Sequence, residues 1–143
     1  VIMNLNRATL IQMLRQEEDV KKFPYTDTKG KITIGVGRNL TDNGLSEVEI
    51  GWLLDNDIDR VIKELDSALP WWKGFNAVRQ LVLADMSFNL GLPRFLKFKK
   101  TLAAAQTGDF DLAASEMLDS SWAKDVGKRA VYLSTLMRTG VMS

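Results

Sequence analysis

The sequence predicts an α+β fold that is mostly helical. It has a small N-terminal β-hairpin lobe, a larger C-terminal helical lobe and a cleft between them. Three observations carry this. Residues 5–19 follow an amphipathic helical pattern. Pro24, Gly30, Gly35 and Gly37 then crowd one short stretch, with Ile32, Thr33, Ile34 and Val36 among them, as in a small hairpin or meander with glycine turns. From residue 46 onward apolar residues recur at helical spacing nearly to the end. The 143 residues suffice for one domain, 1–143, with a β-containing lobe over about 16–60 and a helical lobe over about 61–143 that also takes in the N-terminal helix.

The elements follow in order. In the first helix Leu5, Ala8, Ile11 or Gln12, and Leu14 keep one face, and Glu18 stands at its end. The hairpin is too small to stand alone and must lean on a helix. Ser46-x-x-Glu49 is a capping box that opens a helix over 46–66. Ile50, Leu53, Leu54, Ile58, Val61, Ile62 and Leu65 form its apolar stripe, and Pro70 with Trp71-Trp72 breaks it. Residues 76–90, capped by Asn76, are apolar nearly all round, the pattern of a buried central helix. Gly91 and Pro93 stop it. Shorter helices are expected over 95–106, 109–118 with Asp109 as cap, and 126–138. The six methionines read as packing.

Composition removes several kinds of chemistry. There is no cysteine and no histidine, so disulfides, thiol catalysis and histidine triads are excluded. A zinc site is not expected without those ligands, and no cofactor is called for. Acid–base work must fall to carboxylates, lysine or tyrosine. A net charge of +1 gives little steering toward a polyanion, and nucleic acid is not an expected partner. No apolar run approaches the roughly 18 residues of a membrane span, so stable insertion is not expected. No segment has the pattern of a signal peptide. Val1 and Ile2 precede Met3, which leaves open either a start at Met3 or a processed terminus.

The segment richest in chemistry runs from Glu18 to Gly37. Asp27 follows Glu18 by nine residues and Thr33 follows six later. Chain reversal at Gly30 would bring Asp27 and Thr33 side by side. Glycoside hydrolysis needs two carboxyl groups in different states, one donating a proton and one ionised. Glu18 suits the first role, because a helix C-terminus disfavours a nearby carboxylate anion. Asp27, in a polar turn with spare N–H groups, suits the second. Spacing alone does not establish this, since a Glu and an Asp nine apart are usually solvated surface charges.

The pattern Tyr25-x-Asp27-x-x-Gly30-x-x-Thr33-Ile34-Gly35-Val36-Gly37, preceded by Glu18, resembles the signature of the phage-type lysozymes, glycoside hydrolase family 24. The likeness extends over Ser46 to Ile58, Phe88-Asn89-Leu90-Gly91, Trp122, Arg129-Ala130 and Arg138-Thr139-Gly140. It implies a catalytic triad of Glu18, Asp27 and Thr33, and substrate binding by Asn89 and Arg129. Asn89 stands where the family's best-known member has Gln. Arg129 stands where the family has an Arg that pairs with the catalytic Glu. Arg38 replaces a structural His, and its expected role is structural, with Asp42 or Asp55 as partner. The loop from Leu40 to Ser46 is shorter, which implies a smaller β lobe.

The implied activity is a peptidoglycan muramidase. It would hydrolyse the β-1,4 bond between N-acetylmuramic acid and N-acetylglucosamine with inversion, Asp27 and Thr33 positioning the water. The implied setting is bacterial lysis by a monomer held in the host cytoplasm until a holin pore releases it to the wall. A lytic transglycosylase would need only the Glu. An inactive wall-binding domain would be expected to lack Glu18 or Asp27, and both are present. Two further features have two readings each. Trp71 and Trp72 either stack on sugar or cap a core, the second being usual for adjacent aromatics after a helix. Lys97, Lys99 and Lys100 either meet an anionic wall polymer or lipid, or form a solvated helix face.

Overall fold

The computed structural model describes residues 4–142. The fold is α+β and 68% helical, with one three-stranded antiparallel sheet. The chain forms two compact units that divide between Trp52 and Leu53, inside a continuous helix. The N-terminal helix belongs to the first unit.

The first unit opens with α1 (Arg7–Glu17), capped by the Asn6 side chain, which accepts from the Thr9 N–H at 3.0 Å. Glu18 closes the helix, and Asp19 turns the backbone into the left-handed region at φ 58°. That reversal, uncommon for a residue other than glycine, launches β1 (Lys21–Thr26). β1 pairs with β2 (Ile32–Gly35), which pairs with the two-residue β3 (Arg38–Asn39). The β1–β2 register is irregular between Lys21 and Tyr25. Pro24 lies in that gap, and a residue without an N–H cannot serve a ladder. Asn39 then caps a single turn, α2 (Leu40–Asn43), within the stretch from Leu40 to Ser46 that the sequence reads as a loop.

The predicted capping box is present. At the start of α3 (Glu47–Ala68) the Glu49 N–H donates to Ser46 Oγ at 3.2 Å, and the Ser46 N–H donates to Glu49 Oε1 at 2.9 Å.

The second unit is helical. The break at Pro70 is a 3-10 turn (Pro70–Gly74). Trp72 is buried with its Nε1 donating to Asp66 Oδ1 at 2.8 Å, and Trp71 packs on Phe75 with ring centroids 5.2 Å apart. Both tryptophans therefore serve the core. α4 (Ala77–Leu90), capped by Asn76, buries Val82, Leu83, Met86 and Leu90. The expected helix over 95–106 starts later, as α6 (Lys99–Gln106), and a one-turn α5 (Leu92–Phe95) that was not foreseen precedes it, because Pro93 opens a new turn instead of only stopping the old one. α7 (Phe110–Leu118) has the predicted Asp109 cap. α8 (Ser121–Val126) was not foreseen, and α9 (Lys128–Thr139) completes the unit. Of the methionines, Met86, Met117 and Met137 are core, but Met13 and Met142 are about half exposed. Met3 and the question of the start lie outside the described residues.

Arg79 joins the start of α4 to the end of α9. Its Nε donates to the Met137 carbonyl at 2.7 Å and its Nη2 to the Arg138 carbonyl at 2.9 Å, while the guanidinium sits 3.6 Å over the Phe110 ring. These carbonyls are among those a helix end leaves unpaired.

Candidate active site

Glu18, Asp27 and Thr33 all lie in the first unit, on three successive pieces of chain. Glu18 is fixed by its backbone, whose N–H donates to the Leu14 carbonyl at 2.8 Å. Its side chain is exposed, and no hydrogen bond or ion pair among the described residues holds the carboxylate. It rests instead on the β2–β3 turn. A Cβ on Gly37, whose φ is +67°, would stand 2.7 Å from Glu18 Oε2 and 3.1 Å from Cδ.

Asp27 follows β1 directly, and its carboxylate organises the turn to β2. Oδ1 accepts from the Lys29 N–H at 2.9 Å and the Lys31 N–H at 2.8 Å. The Asp27 N–H donates to the Lys31 carbonyl at 2.9 Å, and the Gly30 N–H donates to the Asp27 carbonyl at 3.0 Å, with Gly30 at φ +79°. Short polar side chains that bond backbone two residues on are typical turn formers.

Thr33 is on the central strand, paired with Tyr25 on one side and Asn39 on the other, and is 4% exposed. Its hydroxyl donates to the Lys31 carbonyl at 3.1 Å. That oxygen also accepts from the Asp27 N–H, so the Lys31 peptide unit ties Asp27 and Thr33 together. The juxtaposition expected from chain reversal at Gly30 is thus made through one shared peptide.

Arg38 makes the structural contacts expected of it, but not with the expected partner. Asp42 and Asp55 were the candidates, and the acid is Glu49. Arg38 Nη1 donates to Glu49 Oε1 at 2.9 Å and to the Gly44 carbonyl at 3.0 Å, and Nη2 donates to Glu49 Oε2 at 2.5 Å. The planar fork meets the carboxylate through both nitrogens. Asp42 is already engaged by Lys31 Nζ at 3.1 Å and Asn39 Nδ2 at 2.8 Å. The Arg38 guanidinium, with the Ser46 N–H second, holds the Glu49 carboxyl down at about 2, well below the usual 4.5. Glu49 was missed as a site-supporting residue because the capping box already accounted for it.

The two expected binding residues lie in the second unit. Asn89 Oδ1 accepts from Trp122 Nε1 at 2.9 Å, which leaves its amide nitrogen for other partners. Arg129 engages Asp85, its Nε at 3.0 Å and its Nη2 at 2.6 Å from Oδ1. Lys97, Lys99 and Lys100 border a pocket of about 460 Å³ that Thr101, Glu116 and Asp119 also line, so both acidic and basic groups face it.

Comparison with known proteins bears on the same segment. The chain is 26% identical to a probable T4-type lysozyme 2 of Dictyostelium discoideum over 94% of this chain and 96% of that protein. It is 22% identical to a probable T4-type lysozyme 1 of the same organism over 95% of this chain and 97% of that one. A third relative is the pre-baseplate central spike protein Gp5 of Enterobacteria phage T4, 28% identical over 92% of this chain. The chain spans only 28% of the length of that spike protein. The family model for phage lysozyme matches residues 15–139, which takes in Glu18, Asp27, Thr33 and nearly all that follows. The chain therefore belongs to the phage lysozyme family, a family of glycoside hydrolases.

Proposed function

We propose that this chain is a muramidase that cleaves the β-1,4 bond from N-acetylmuramic acid to N-acetylglucosamine in peptidoglycan by direct attack of water. The carrying observation is the hydrogen bonding around Lys31. Asp27 Oδ1 is filled by two backbone N–H groups, so Oδ2 is the oxygen left to accept from a further donor. The Thr33 hydroxyl proton is committed to the Lys31 carbonyl, so its oxygen has lone pairs to accept with. A water giving one proton toward Asp27 Oδ2 and the other toward Thr33 Oγ1 keeps its own lone pair for the anomeric carbon.

Glu18 is the complementary group. Its carboxyl donates a proton to the leaving glycosidic oxygen as the C–O bond breaks. The water oxygen bonds to the anomeric carbon from the opposite side, and its proton passes to Asp27. Both carboxyl groups then return to their starting states by exchange with solvent. The product has inverted configuration, and this route requires carboxyl groups separated by about 6.5–9.5 Å, against about 5–5.5 Å for a covalent intermediate.

The test is product analysis of digested peptidoglycan by mass spectrometry, with wild type and Glu18→Gln. Reducing muramic ends from the wild type and a rate loss of about 10²–10⁴ in the variant are expected. Anhydro ends would mean that the sugar's own hydroxyl, not water, attacks. Undiminished cleavage by Glu18→Gln would remove Glu18 as the acid.

A further inference from the structure

We infer that Gly37 is a positioning residue for the reaction, and that its missing side chain sets where the Glu18 carboxylate stands. This rests on the assignment of Glu18 as the proton donor. Among the described residues nothing bonds to that carboxylate, yet a general acid must be held within a narrow range of its acceptor. The Gly37 α-carbon is what it lies against. A methyl group built there would be 2.7 Å from Oε2, and 3.1 and 3.4 Å from Cδ and Cγ. The carboxylate therefore occupies the space that any other residue at 37 would fill.

The response of the molecule to such a methyl is predictable. The obstructed atoms are the free end of an exposed side chain, so they move and the turn does not. Regaining van der Waals separation takes a shift of about 0.7 Å at Oε2. A displacement of that order in a reacting group costs about 10²-fold in rate. The fold itself loses little from the clash.

Gly35 supplies the internal comparison. It lies two residues earlier in the same turn with φ +68°, against +67° for Gly37, and a methyl at Gly35 meets nothing within 4 Å. Gly35→Ala therefore carries the left-handed backbone strain without the encroachment on Glu18. Gly37→Ala carries both. The difference between the two variants isolates the contact with the acid.

The experiment measures thermal melting together with kcat and KM on a soluble peptidoglycan fragment for wild type, Gly35→Ala, Gly37→Ala and Glu18→Gln. The two alanine variants should melt within a few degrees of each other, both somewhat below wild type. Gly35→Ala should keep kcat within a few-fold, and Gly37→Ala should lose about 10²-fold in kcat with KM little changed. Equal kcat for the two alanine variants, with Glu18→Gln inactive, overturns the positioning role and leaves the acid assignment standing. An active Glu18→Gln overturns the acid assignment itself. If Gly37→Ala does not fold while Gly35→Ala does, the obstruction acts on the turn and not on the side chain, and the inference fails.

Discussion

On the proposed mechanism replacing Asp27 separates two tasks, since one oxygen builds the turn and the negative charge would serve the reaction. In Asp27→Asn the amide oxygen can take the place of Oδ1 and still accept from the Lys29 and Lys31 N–H groups, at 2.9 and 2.8 Å in the parent. A hydrogen bond to a charged acceptor contributes about 1.5–3 kcal/mol and one to a neutral acceptor about 1. The Lys29 bond is exposed, so the combined loss should be about 1–2 kcal/mol, a fall of several degrees in Tm. Asp27→Ala removes both acceptors and should melt lower than the Asn variant. Activity should not follow this order. Neither variant can take a proton from water, so both should lose about 10²–10⁴ in rate. Circular-dichroism melts and turnover of a soluble wall fragment supply the two numbers, and proton NMR of the wild-type product supplies the anomer, expected to be α at first appearance. An Asp27→Asn enzyme within tenfold of wild type would refute the assignment, as would a first-formed β product.

Thr33→Val removes the hydroxyl from a buried site while keeping its shape, and should lower kcat more than it lowers Tm; the reverse order, read from kinetics and melts, would make Thr33 structural. Arg79→Ala leaves the Met137 and Arg138 carbonyls unmatched and uncovers the Phe110 ring, at a cost of about 2–3 kcal/mol seen as a lower Tm with unchanged kcat. Arg38→Ala should lower Tm with specific activity of the folded enzyme largely kept, and a selective loss of activity would move Arg38 into the reaction. Glu49 has its carboxyl depressed to about 2 from 4.5, so its stabilisation is present above about pH 4.5 and is lost as pH falls toward 2. Melts of Glu49→Gln should accordingly differ from wild type at neutral pH and converge with it across that acid window.

What could be read from the sequence was what is local. Ser46, Asn76 and Asp109 each accept from a backbone N–H three residues on, so the cap and its helix announce each other, whereas the Asn6 cap falls inside the 5–19 pattern and went unread. α8 escaped because six residues are too few for a helical period to show, although Ser120 caps it in the same way. α5 escaped because Pro93 is equally a stop for one helix and a first-turn residue for the next. Arg38 shows the limit most directly. Its kind of role follows from its place after two glycines, but its partner lies 11 residues away and had already been assigned to a cap. Local reading treats Glu49 as satisfied, whereas a carboxylate has four lone-pair sites and serves both. For the site, spacing alone left Glu18 and Asp27 indistinguishable from surface charges. The family pattern singled them out, and only coordinates give the shared Lys31 peptide and the Gly37 contact.

The carboxylates of the first unit differ in how they are held, and that difference fits the division of chemical labour. Asp19 pairs with Lys21 at 2.8 Å, Asp42 with Lys31 at 3.1 Å, and Glu49 is gripped by Arg38. Each of these bonds a cation, and at Asp19 and Glu49 the cation holds the carboxyl below its usual range, as suits a structural anchor. Asp27 is held by neutral backbone donors on one oxygen only, which fixes its direction and leaves the other oxygen open to a water. Glu18 is placed by backbone and by contact with a glycine, with neither oxygen engaged among the described residues. On the proposed mechanism Glu18 carries, releases and recovers a proton in each turnover, and contact with a glycine places a carboxyl without adding a hydrogen-bond partner. The same contact accounts for glycine at 37. Any side chain there would meet the Glu18 carboxyl, since a Cβ at 37 stands 2.7 Å from Oε2.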